Sequence, residues 1–369
     1  MRAGSAARPR RPRRTPRGAA VSAGPLQQLL DLPGTTDVLV NGPGSVWVDR
    51  GEGLVRVDLD VGPEHQVRAL AVRLAAGAGR RLDDASPCVD AVLPDGTRLH
   101  AVLPPVSSSG TLLSLRVPRR TPLSLAELEA AGSLPPGWAA VLRAAVHHRC
   151  SLLVSGGTGS GKTTLLAALL GLVDVRERLV LVEDSGELSP VHPHVVRLQA
   201  RHGNVEGAGE VGQRELVRQA LRMRPDRLVV GEVRGAEVAD LLMALNSGHE
   251  GGCCTVHANS AAAVPARLTA LAALAGMGPD VLAAQAAAGL QVVVHLRREG
   301  PLRRVVEVGV VELAPGPAGS TGAGGLVVRP ALRAGRAPDH PGTREDGWPR
   351  LAELLRLAAV PVQASRRRA

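Results

Sequence analysis

At 369 residues and 44% hydrophobic, the chain has room for about two domains of roughly 150 residues and is too apolar to be disordered as a whole. Its formal net charge of +10 is concentrated at the ends, where seven arginines fall within residues 1–17 and three at 366–368; the rest is close to neutral. With no Tyr, no Phe and three Trp there is little to stack on bases, so no stable nucleic-acid partner is expected.

Residues 1–25 form a Pro/Arg/Gly tail, expected to be disordered and solvated; attraction to an anionic membrane surface is the functional alternative. No apolar run follows these arginines as in a secretion signal. The best apolar stretch, Val281–Leu296, is broken by Gln285 and Gln291 and is too short to span a bilayer. We therefore expect a cytoplasmic protein, with Cys88, Cys150, Cys253 and Cys254 reduced.

Residues 26–118 read as a small α+β domain. TDVLVNGPGSVWVDR (36–50) suggests two strands around a Gly-Pro-Gly turn, and residues 64–82 have apolar positions at helical spacing before a Gly-rich stop. Residues 89–105 form a hairpin pattern with Asp-Gly at the turn, and LLSLRVP (112–118) a further strand. A proline-punctuated linker, 119–137, carries a short helix over 124–131. Over 138–313 apolar strands and helices alternate, which predicts an α/β fold with a parallel sheet covered on both faces. Residues 314–369 are expected to be a variable, partly flexible tail, with a possible terminal helix at 348–360.

The segment SGGTGSGKTT (155–164) contains the only lysine among 44 Lys and Arg. A buried strand before it and a helix after it give G-x-x-x-x-G-K-T the context of a phosphate-binding loop. Gly156, Gly157, Thr158, Gly159, Ser160 and Gly161 turn successive backbone N–H groups towards phosphate oxygens, and the helix start adds its positive end. Lys162 supplies a compact mobile charge, and Thr163, followed by Thr164, a hydroxyl for Mg²⁺. The ligand expected is a nucleoside triphosphate with Mg²⁺.

Such a site also needs carboxylates at neighbouring strand ends. RLVLVEDSGEL (178–188) ends an apolar run in Glu183-Asp184, with Glu187 one turn on. RPDRLVVGEVRG (224–235) ends another in Gly231-Glu232. Glu232 is assigned to the Mg²⁺ shell and Glu183 to orienting the attacking water, although the sequence leaves the two roles interchangeable. In SGHEGGCCTVHANS (247–260), His249, Cys253, Cys254 and His257 suggest zinc at first sight. CCTVH reads as a strand, however, so the two thiols face opposite ways. His257 is then a hydrogen-bonding group near the phosphate, and Asn259 caps the next helix.

These segments together resemble the ATPases of type II and type IV secretion, most closely the tight-adherence pilus assembly branch. GGTGSGKTT resembles its Walker A box, LVEDSGEL its Asp box, LRMRPDRLVVGEVRGAE its Walker B box and GHEGGCCTVHANS its His box. TDVLVNGP, residues 79–105 and the LSLR of 114–117 resemble its N-terminal domain. The resemblance runs from about residue 26 to 313. It implies a RecA-like P-loop NTPase domain preceded by a small α+β domain, with ATP between them. It further implies a homohexamer that docks on an inner-membrane platform protein and hydrolyses ATP to drive pilus assembly or secretion. Carried over, Lys162, Thr163, Glu183, Glu232 and His257 are site residues. Arg98 and Arg116 lie in segments whose arginines reach the nucleotide, and Arg201, Arg222 and Arg224 are candidates for neutralising transition-state charge. Two alternatives remain: a DNA-handling ATPase of a conjugation or uptake system, and a nucleotide-gated scaffold without turnover.

Overall fold

A computed structural model describes residues 22–51, 53–117, 122–201, 209–300, 302–315 and 324–357. Most of the basic N-terminal tail, the arginines at 366–368, the start of the expected linker and most of the Gly-rich stretch at 315–325 lie outside the described residues. The chain divides into two compact units, residues 1–120 and 121–369.

The first unit holds α1 (Gln27–Leu30), β1 (Asp37–Asn41), β2 (Val46–Asp49), β3 (Leu54–Val57), α2 (Glu64–Gly77), β4 (Cys88–Val92), β5 (Arg98–Val102) and β6 (Leu112–Arg116). The six strands pair antiparallel in the order β3-β2-β1-β6-β5-β4. Alternation decides the buried face: Val38 and Val40 of β1 and Leu113 and Leu115 of β6 point into one core. Val67, Leu70, Ala71 and Leu74, spaced three and four apart on α2, close that core from the same side. The strand β3 was not predicted; it is an edge whose Leu54 and Val55 are exposed, so it lacks the alternation that marks a half-buried strand.

The second unit begins with α3 (Leu125–Ala130), whose N-cap Ser124 and Glu127 form a reciprocal capping box. It continues with α4 (Trp138–His147), β7 (Leu152–Gly156), α5 (Lys162–Leu170), β8 (Leu179–Glu183), β9 (Val195–Gln199), α6 (Gln213–Leu221), β10 (Arg227–Val233), α7 (Glu237–Leu245) and β11 (Cys253–His257). After these come α8 (Val264–Ala273), α9 (Pro279–Gly289), β12 (Val292–Glu299), β13 (Leu302–Leu313), β14 (Leu326–Arg333), β15 (Thr343–Arg344) and α10 (Trp348–Leu354).

All nine strands form one sheet, ordered β15-β14-β13-β12-β7-β11-β10-β8-β9. From β12 to β9 every pairing is parallel, and β13, β14 and β15 are added antiparallel. The central strand β7 is buried along its whole length, and its successive side chains serve opposite faces. Leu152 and Val154 join a core built with α3, α4, α5 and α10, while Leu153 joins one built with α6, α7, α8 and α9. Cys253 and Cys254 divide in the same way between these two cores.

The sheet does not end at residue 313, where the sequence suggested a tail begins. Beyond it, β14 pairs along β13, and Arg304, 1% exposed, donates to the carbonyls of Gly335, Arg336 and Ala337. Pro330 hides β14 from a sequence reading, because a proline cannot donate to a ladder. Here it lies at the register shift opposite Gly309.

Candidate active site

Between β7 and α5 the chain turns through Gly159 and Gly161, whose φ angles of +67° and +95° belong to the left-handed region. Gly161 is the N-cap of α5, so the first N–H groups of that helix open onto the loop. The loop is closed tightly from beneath: a Cβ on Gly156 would lie 2.5 Å from Ser160 Oγ and 2.6 Å from the carbonyl oxygen of Leu296. Ser160 is 2% exposed and its hydroxyl has no hydrogen-bond partner among the described residues. Gly157, Thr158 and Gly159 are exposed, and Thr164 is half-buried on α5. A glycine cradle at a helix start, lined by an unpartnered buried hydroxyl, fits a polyphosphate.

Lys162, the first residue of α5, is buried. Its Nζ donates to the carbonyls of Gly157 at 2.9 Å and Gly156 at 3.2 Å and lies 3.4 Å from His257 Nδ1. Burial holds its pKa below the usual lysine range, and the Glu232 carboxylate acts in the opposite sense.

Glu232 stands at the end of β10, where the register with β11 shifts between Val230 and Val233. Such a bulge re-aims the side chains at a strand end. One oxygen of Glu232, Oε1, lies 2.6 Å from His257 Nε2, at the end of β11. The other, Oε2, accepts from Arg234 Nη2 at 2.6 Å. Burial, and then the Lys162 ammonium, lower the His257 pKa, which favours a neutral ring.

Glu183 ends β8, separated from the loop strand β7 by β11 and β10, and is 4% exposed. Its Oε1 accepts the backbone N–H groups of Glu187 at 2.9 Å and Leu188 at 2.8 Å. It therefore fixes the turn that carries Glu187, whose Oε2 is 3.5 Å from Thr163 Oγ1. The cleft between these strand ends is lined by Thr163, Glu183, Asp184, Ser185, Glu187, Gly231, Glu232 and Arg234.

Burial pushes the Glu183 pKa up to about 7, against the pull of its two backbone donors. Native Glu183 thus binds a proton over a range in which the unfolded carboxyl has lost it. Its contribution to stability is full below about pH 4.5 and is lost as pH rises through about 7. Glu183→Gln keeps an acceptor for both N–H groups and removes the buried charge. We expect its urea midpoint, relative to wild type, to rise between pH 5 and pH 8; an unchanged difference across that range overturns the assignment.

Three residues not singled out from the sequence shape the site. Arg234 joins Glu232 and Asp184, the latter at 3.2 Å. Arg303 Nε, from β13, donates to the carbonyl of Gly159 at 2.9 Å. His295, 3% exposed on β12, places Nδ1 2.9 Å from Ser155 Oγ directly beneath the loop, and burial lowers its pKa to about 4. For His295 the available signal is a histidine inside the apolar run VVVHL. For Arg234 it is a cation two residues past a site glutamate.

Three other expected arginines are not among the residues lining this cleft. Arg201 is turned onto its own loop, where its Nε donates to the Gly209 carbonyl and its backbone bridges to Val211, and it is not among the residues lining the cleft. Arg222 and Arg224 follow α6 and are not among those lining residues either. Arg98 and Arg116 sit opposite each other on β5 and β6 of the first unit, with Arg116 Nε 3.1 Å from Asp37 Oδ1. The cap after β11 is Ser260, whose Oγ accepts from Ala263 N at 3.2 Å, rather than Asn259. The backbone of Asn259 bonds to His295 instead.

Comparison with known proteins identifies the family. Residues 19–302 match the family described as type II/IV secretion system protein. A putative conjugal transfer protein of Mycobacterium tuberculosis is 57% identical over 301 residues, covering 80% of this chain and 86% of its own. The type IV secretion system protein PtlH of Bordetella pertussis is 36% identical over 311 residues, covering 76% of this chain and 91% of its own. Among solved structures, the pilus retraction motor PilT with bound ADP shares the fold at a TM-score of 0.54 and 20% identity, covering 80% of this chain and 78% of that one. The chain belongs to the type II/IV secretion system protein family, and it is an ATPase.

Proposed function

We propose that this ATPase works as a homohexameric motor that couples Mg²⁺-dependent ATP hydrolysis to pilus assembly or protein secretion, docked on a platform protein at the inner face of the cell membrane. The observation that carries this reading is that Thr163, Glu187 and Glu232 line one cleft at the carboxyl ends of parallel strands, with His257 beside Glu232 and Lys162 beside His257. No helix among the described residues is long and apolar enough to cross a membrane.

Bound Mg²⁺–ATP supplies the phosphoryl group and the cation that offsets its charge. The chain's own residues do the rest. The loop N–H groups and Lys162 would bind phosphate, and the Thr163 hydroxyl and Glu232 would hold the metal through its water shell. Glu187, presented by the turn that Glu183 fixes, orients the attacking water and accepts its proton. His257 holds Glu232 in place. This moves the water-orienting role from Glu183 to Glu187, because both the burial of Glu183 and its two backbone donors commit it to the turn.

The test is ATP turnover by the purified full chain that requires Mg²⁺, together with a mass near six times 38.2 kDa by light scattering. A monomer without turnover at any concentration removes the motor reading.

A second reading, DNA handling, is favoured by the conjugal-transfer names of relatives in Mycobacterium tuberculosis and Rhizobium radiobacter. It requires DNA-stimulated turnover that falls steeply between about 50 and 200 mM salt. Absence of stimulation at low salt excludes it. The finer assignment to the tight-adherence branch rests on the segment resemblance alone. Neighbouring genes for a platform protein and small pilin-like proteins would support it.

A further inference from the structure

Arg234 has no task in the scheme above, yet it is the only cation among the described residues lining the cleft. Its main chain is fixed, since Glu237 Oε1 accepts from Arg234 N at 2.6 Å and from Gly235 N at 2.8 Å. Its side chain is 55% exposed and spans two strand ends, bonding Glu232 Oε2 at 2.6 Å and Asp184 Oδ2 at 3.2 Å.

A structural brace in this protein looks different. Arg227 is 2% exposed and grips both oxygens of one carboxylate, Glu177, through Nε at 2.8 Å and Nη2 at 3.1 Å. Arg234 instead meets two carboxylates with one bond each and stays half in solvent. It also competes with the task of Glu232. Arg234 occupies Oε2, whereas Oε1 is buried 2.6 Å from His257 Nε2 with no hydrogen-bond partner among the described residues, so a metal-bound water arriving at Oε2 must displace Arg234.

We propose that Arg234 senses the terminal phosphate: its guanidinium leaves Glu232 for the terminal phosphate of a bound nucleoside triphosphate and so frees Glu232 Oε2 for the metal's water shell. This rests on reading the cleft as the Mg²⁺–ATP site. The planar fork of arginine suits phosphate oxygens and makes charge-assisted, often bidentate bonds with them. The backbone anchor at Glu237 confines the exchange to side-chain torsions. A nucleoside diphosphate lacks the receiving group, so Arg234 stays on Glu232 and Asp184 and ties the ends of β8 and β10 together. One residue thereby makes the geometry of two strand ends depend on the third phosphate.

The experiment is calorimetric binding of Mg²⁺–ADP and of Mg²⁺ with a non-hydrolysable ATP analogue to the full chain, as wild type, Arg234→Gln and Arg234→Lys. In Arg234→Gln the Kd for the triphosphate analogue should rise about tenfold, as expected for the loss of one charge-assisted bond. The Kd for ADP should stay within about twofold, because the lost contact is made only to the third phosphate. Arg234→Lys, which keeps the charge without the fork, should fall between the two. Equal weakening of both nucleotides, or a lowered unfolding midpoint with an unchanged ratio of the two affinities, overturns the sensor alone. A wild-type protein that binds neither nucleotide overturns the reading of the cleft with it.

Discussion

Lys162→Arg should abolish ATP turnover and leave the fold standing. The side chain it replaces is buried, with Nζ in reach of two loop carbonyls and His257. An ammonium is compact and can follow a phosphate within so confined a space. A guanidinium is planar and wider, and its donors are fixed in a fork. Forced into the same place it must push the loop outward or turn away from the phosphates, although the net charge is unchanged. Losing one well-placed donor to a developing charge costs about 10²–10³ in kcat. The unfolding midpoint should shift by less than about 3 °C, since no buried charge is left unpaired. Steady-state hydrolysis and a thermal melt on the same preparation check both halves. Turnover near the wild-type rate would show that the cradle has more room than its contacts indicate.

The second large effect separates the three glutamates. Glu187→Gln and Glu232→Gln should each lower kcat by about 10²–10³ while nucleotide still binds, because the groups lost handle the proton and the metal's water rather than the phosphate chain. Glu183→Gln should cost less than about tenfold, since Gln still accepts the N–H groups of Glu187 and Leu188 and keeps the turn in place. Single-turnover rates with saturating Mg²⁺–ATP measure all three. If Glu183→Gln proves as damaging as Glu187→Gln, the buried carboxyl takes part in the chemistry directly.

Much of this site is legible in the sequence because each part is contiguous. A buried strand, a glycine loop and a helix start are consecutive in 152–170, and an apolar run ending in an acid is visible at 179–183 and at 227–232. The missing information is what depends on pairs far apart in the chain. Nothing local to EDSGEL reveals that Glu183 folds back onto the N–H groups of Glu187 and Leu188, which decides which acid faces Thr163. His295 meets Ser155, and Arg303 meets Gly159, only because β12 lies beside β7 and β13 beside β12. The choice of Asn259 over Ser260 as the cap followed propensity, and one residue of shift was enough to reverse it. Among the strands, β9 and β14 were hidden by exposure and by Pro330, since neither presents a clean period of two.

The contact between Gly231 and Glu183 constrains how the sequence can change. A Cβ at position 231 would lie 2.8 Å from Glu183 Cγ. Any first step away from glycine there drives a methyl into the side chain that holds the Glu187 turn, so an otherwise mild Gly231→Ala is tolerated only after position 183 has shortened. Shortening position 183 first, however, releases the turn. One step is opposed by the Glu183 side chain and the other by loss of the turn, so the pair is exchanged only together.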